Sequence, residues 1–142
     1  MATVTKFQDF SEQLSRGVHD WDAHTFKVAL TNTAPVATNT ILTDITQISG
    51  TNGYPTGGTA TTITISESTG TTTISGTSVT FTASGGAMGT FRYYVLYNDT
   101  ATSPVDALIA WWDHGTAVTL NSGDSFQVKF NNTDPGTILT IA

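Results

Sequence analysis

Two imidazoles and two carboxylates fall together in the run His19-Asp20-Trp21-Asp22-Ala23-His24. These are ligand types for a transition metal. Their spacing matches no helical or strand ligand motif, and the run sits where a helix hands over to a strand. A capped, solvated loop is the reading that spacing supports. His114 follows Asp113 and precedes Gly115; a His–Asp pair can serve acid–base chemistry, but it needs a nucleophile or a substrate pocket that no nearby residue supplies. Gly123-Asp124-Ser125 has the look of the triplets around some nucleophilic serines, yet the further glycines are missing and G-x-S-x-G does not occur. Those residues belong in a hairpin turn on their own account. Neither G-x-G-x-x-G nor a P-loop occurs. The expectation is therefore no catalytic residue, no cofactor and no metal.

Aromatic residues are the remaining chemical feature. Trp111, Trp112 and Tyr94, if open on a sheet, would offer stacking surfaces to sugar rings. Coverage by the chain's own helix or loops, or by a second subunit, is the preferred account of them.

Charge narrows the field. Only 11% of the 142 residues are charged, against about 25% in ordinary soluble domains. Thr makes up about a fifth of the chain, a bias that favours strands. Such a surface loses little on being covered, because few charges must be stripped of water, and interface cores are likewise poor in charge. The five cations, Lys6, Arg16, Lys27, Arg92 and Lys129, are scattered in a chain of net charge −6. Nucleic-acid binding needs clustered cations, and so does a polybasic membrane contact; neither is expected. No apolar run has the length of a membrane span, and no basic segment leads an apolar one as in a secretory signal. Cysteine is absent, which removes disulfides and thiolate chemistry together.

The elements follow from periodicity. Phe7, Phe10, Leu14 and Val18 recur at helical spacing and predict one amphipathic helix from Val4 to Arg16, stopped by Gly17. Its apolar stripe must dock, either on its own sheet or on a neighbouring subunit as an arm. Strands are predicted at 25–31, 59–66, 71–75, 78–83, 91–98, 107–113 and 137–141, with a hairpin joining 117–120 to 125–131 through the turn Asn121-Ser122-Gly123-Asp124. The segment 32–58 is a long mixed loop with a helical turn at Ile41, Leu42, Ile45 and Ile48. Loops of that length are usually functional or packed on a partner. Within 91–98, Phe91, Tyr93, Val95 and Tyr97 point one way and Tyr94 and Leu96 the other, so both faces are apolar. Adjacent Trp111 and Trp112 must likewise face opposite sides. The pattern predicts an all-β fold, a β-sandwich or jelly roll of about eight strands with one short N-terminal helix. It is read as a single domain, 1–142, with 1–17 a helical segment or arm.

Three stretches carry a family resemblance: FKVALTNTAPVA at 26–37, FRYYVLYNDT at 91–100 and ALIAWWDHG at 107–115. With the helix and the Thr-rich centre, the chain resembles small virion structural proteins of tailed bacteriophages, of the capsid decoration or cement type, over nearly its whole length. The resemblance implies a subunit that bridges major capsid proteins and stabilises the head. It implies partners in the major capsid protein and in copies of itself, with a homotrimer the leading oligomer. It places the chain on the capsid surface of the virion after synthesis in the host cytoplasm. It carries no catalytic motif. A tail or fibre component, or a carbohydrate-binding module on the virion surface, is the alternative. The contact residues expected are Phe7, Phe10, Leu14, Tyr94, Leu96, Trp111 and Trp112.

Overall fold

The computed structural model describes residues 3–142. Among these residues ten strands run in chain order as β1 (Thr5–Lys6), β2 (Phe26–Thr31), β3 (Thr59–Thr61), β4 (Ile63–Ser68), β5 (Thr71–Gly76), β6 (Val79–Thr82), β7 (Phe91–Asn98), β8 (Leu108–Val118), β9 (Ser125–Val128) and β10 (Gly136–Ile141). One helix, α1 (Phe10–Ser15), and 3-10 turns at Leu42–Asp44 and Phe130–Asn132 accompany them. The expected all-β, sandwich-like class is what the chain adopts. A five-stranded sheet in the order β1-β8-β7-β2-β3 is faced by a three-stranded sheet, β10-β5-β4, and a two-stranded one, β6-β9.

Register explains why the middle of the large sheet is apolar on both sides. Val28 stands opposite Leu96, and Leu96 opposite Ala110; with Phe26, Leu30, Tyr94 and Trp112 they line the inner face. There they meet Ile74, Val79, Phe81, Val128 and Ile138 of the smaller sheets, with Phe130 from the 3-10 turn that follows β9. The alternate row, Ala29 opposite Val95 opposite Trp111, lines the outer face. Leu42, Ile45 and Phe7 cover that row. Each Val or Leu so enclosed is worth roughly 1.5–3 kcal/mol of burial.

The long loop 32–58 is thus the outer layer of the chain's own fold. The Thr31 hydroxyl donates to the Thr46 carbonyl, and Ile48 N–H donates to the Leu30 carbonyl at 3.1 Å. Tyr54 accepts from Leu30 N–H at 3.1 Å and donates to Gln47 Oε1 at 2.7 Å, while Tyr97 donates to the Gly57 carbonyl at 2.6 Å. Burial raises the Tyr54 phenol to about 12 and pushes Tyr97 upward too, so both stay protonated donors. Gly58 permits a close approach of the loop to β2: its φ is +80°, and a Cβ there would lie 1.8 Å from the Val28 carbonyl oxygen.

Four expectations are corrected. The helix is shorter than Val4–Arg16, because Thr5 and Lys6 pair with Trp111 and Ala110 as the sheet's edge strand. β-branched Thr5 suits that pairing, and tertiary pairing overrides the helical period. The stop at Gly17 is as expected: Gly17 N–H reaches the Leu14 carbonyl and Val18 N–H the Gln13 carbonyl, the Schellman pattern around a residue at φ +78°. Phe7 and Phe10 therefore share no stripe; Phe7 covers the outer face and Phe10 enters the inner core. The expected hairpin of 117–120 with 125–131 does not form. β9 crosses instead to β6, pairing Phe126 with Phe81. Phe91 lies with Tyr94 in the inner core because the β7–β8 register shifts between Phe91 and Tyr93, a bulge that turns a side chain to the other face.

Replacing Phe7 by Ala should cost about 3–5 kcal/mol, because the ring is 2% exposed. A thermal melt showing a fall of many degrees in Phe7→Ala agrees with this docking. A melting temperature close to wild type would mean that the segment is an appended arm.

Candidate functional site

Residues 19–24 fold over one end of the large sheet, where Asn98 closes β7. The Asn98 side-chain oxygen accepts from Thr100 N–H at 3.0 Å and Ala101 N–H at 3.2 Å. That fixes its amide nitrogen toward the imidazoles, 3.1 Å from His19 Nδ1 and 3.0 Å from His24 Nδ1. An amide NH2 only donates, so both Nδ1 atoms carry lone pairs and both rings are Nε2–H tautomers. His24 Nδ1 also accepts from Asp20 N–H at 3.3 Å, and the Asp20 carboxylate accepts from Asp22 and Ala23 N–H. The two imidazoles thus converge on one amide and make a clasp. Asn98 is the residue that sequence reasoning missed; its signal was the Asn-Asp-Thr run after a strand, where Asn bonds the backbone two residues on.

The His19 side of the clasp is enclosed, while His24 is half-buried. His19 is 6% exposed, and Trp21 stacks on Phe26 with centroids 4.8 Å apart. His19 Nε2 and Trp21 Nε1 are buried with no hydrogen-bond partner among the described residues. Burial first, then the neighbouring His24, lowers His19 to about 4, against a smaller opposing pull from Asp9.

The other candidates resolve into structural pairs. Asp113 is held by Arg92 through contacts of 2.8 and 3.0 Å and by Gly115 N–H at 2.8 Å. The Arg92 hydrogen bonds and that backbone donor keep its carboxyl below the ordinary range. His114 packs edge-on against Phe126 at 5.1 Å, within a β8 that runs on to Val118. Ser125 shares a 2.8 Å hydrogen bond with the Thr82 hydroxyl across β6 and β9.

The expected contact residues lie mostly inside. Phe7, Phe10, Tyr94, Leu96 and Trp112 are buried in the chain's own two cores, where own-chain layers cover both sheet faces. Leu14 and Trp111 are half-buried. Trp111 faces outward with one side against Phe7, centroids 4.6 Å apart. Leu14 borders a groove of about 420 Å³ between α1 and β10, shared with Phe7, Phe10, Leu139 and Ile141. Among the described residues, no helix is long and apolar enough to cross a membrane.

Compared with known proteins, the chain matches no family model, no curated protein and no solved structure.

The clasp makes a pH prediction. The folded state holds His19 near 4 against 6.5 for the free side chain, so between these values the unfolded chain binds the extra proton. Stability from this group is complete above about 6.5 and is lost as pH falls toward 4, by on the order of 3 kcal/mol. His19→Phe should flatten the dependence of melting temperature on pH in that window. An unchanged slope would show that the ring titrates freely.

Proposed function

We propose that this chain is a virion structural protein, a capsid decoration subunit that binds major capsid proteins on the assembled head and reinforces the shell. The resemblance over 26–37, 91–100 and 107–115 carries the reading. The surface supports it: a Thr- and Ser-rich β exterior with few charges can be covered by another protein at small desolvation cost. The fold supports it as well, since both faces of the main sheet are sealed by the chain's own layers. What is left for contact is an outer surface made mostly of polar side chains, loops and strand edges. A subunit that binds the assembled shell and not its free components stabilises the shell by mass action. Copies of the same chain are its further partners in this reading, with a trimer the expected arrangement.

Co-sedimentation with purified phage particles tests it. The protein should bind empty heads saturably and raise the temperature at which they open, while leaving isolated tails unbound. Binding to tails alone would move the chain to the tail or fibre, and retention on a glycan array without head binding would favour the sugar-binding alternative.

A further inference from the structure

Sheet edges present unpaired backbone groups, and folded proteins blunt them with short strands, bulges or covering segments. Five of the six edges among the described residues are managed so. β1 has two residues and β3 three, β6 and β9 form a pair of four-residue strands, and β10 carries a register shift between Thr137 and Leu139 and lies beside α1. β4 is the exception. It runs six residues, Ile63–Ser68, with no Pro, Lys or bulge, and Thr64 through Ser68 are all exposed.

The turn fixes which β4 groups face outward. Thr69 and Gly70 both have positive φ, 49° and 84°, between the paired residues Ser68 and Thr71. This is a two-residue type I′ hairpin, in which the flanking pair is hydrogen-bonded. Ser68, Ser66 and Thr64 therefore bond to β5, and Ile63, Ile65 and Glu67 turn their N–H and C=O groups to the free edge. Ile65, at the centre, is one of the large apolar side chains left exposed, at 37%.

We propose that the β4 edge is a homotypic docking strand that pairs antiparallel with β4 of a second copy, centred on Ile65. In that register Ile65 meets Ile65 on the two-fold axis, Ile63 meets Glu67, and Thr64 meets Ser66. Charge is compatible with self-pairing in an acidic chain. Glu67 is the sole charged residue of the β4–β5 hairpin; the register sets it opposite Ile63 and not opposite its own copy, and its carboxylate already accepts from Gly70 N–H at 2.7 Å. The contact is small, under about 1,200 Å², so association is weak and depends on concentration. It is independent of the role proposed above, and its two-fold symmetry sets it apart from any three-fold assembly.

The chain has no cysteine, which allows a direct test. In a hydrogen-bonded antiparallel pair the facing Cα atoms stand about 5.5 Å apart, within the span of a disulfide. Full-length Ile65→Cys under mild oxidant should give a dimer of twice the 15.0 kDa chain mass. It should form about tenfold faster than in Ile141→Cys, which is similarly exposed at 40% on β10. Sedimentation of the unmodified protein should show average mass rising with concentration, and Ile65→Lys, which sets two cations face to face, should stay monomeric with an unchanged β signal. Equal cross-linking in the two cysteine variants, or the same concentration dependence in wild type and Ile65→Lys, overturns the proposal, as does a wild type that stays monomeric; the edge would then be open or serve a different protein's strand.

Discussion

β7 is hydrogen-bonded along both edges and carries bulky apolar side chains on both faces, so it must be covered twice. Its Tyr94 and Leu96 row is met by the two smaller sheets, as in any sandwich. Its Val95 and Tyr97 row needs a second cover, and the chain supplies one from two remote segments, Phe7 near the N-terminus and Leu42 with Ile45 in the long loop. The connection 32–58 is long because it must travel across a sheet face and return. Its tyrosine and threonine ties to β2 and β7 satisfy polar groups that the crossing would otherwise bury unpaired.

The same constraint decides where chemistry-bearing residues end up. The His19–Asn98–His24 clasp exists because β7 ends on Asn98, whose carbonyl oxygen is taken by the next turn and whose amide is thereby aimed at the loop entering β2. Arg92 and Asp113 pair at the opposite end, beside the bulge that returns Phe91 to the inner core. In each place a polar group near a strand terminus finds a partner within the chain. The exterior that remains is uncharged for long stretches, and the β4 edge is where backbone groups stay open.

Much of this was legible in the residues. Alternation located β2, β5, β6, β7 and β10, the double apolar period of 91–98 marked the central strand, and the adjacent tryptophans had to face apart, as they do. Gly17 marked the helix end. What escaped depended on partners distant in sequence. Thr5 and Lys6 read as helix because their strand partner lies about a hundred residues away in β8. The turn at 121–124 read as a hairpin because turn chemistry gives no sign that the chain changes sheets. The face of Phe91 was misjudged because a bulge leaves no mark on an apolar pattern. The doubly apolar strands left coverage by the chain's own segments and coverage by a second subunit both open, because composition alone does not distinguish the two.

Native-state hydrogen exchange measures most directly whether the outer cover and the central sheet are one cooperative unit. The Val95 amide reports the sheet, the Phe7 amide, bonded to the Ile109 carbonyl, reports the N-terminal cover, and the Ile48 amide, bonded to the Leu30 carbonyl, reports the loop. If the cover is integral to the fold, all three exchange with opening free energies within about 1–2 kcal/mol of global unfolding. Exchange at Phe7 and Ile48 several kcal/mol below Val95 would contradict this, because the outer layer would then open while the sheet stayed folded.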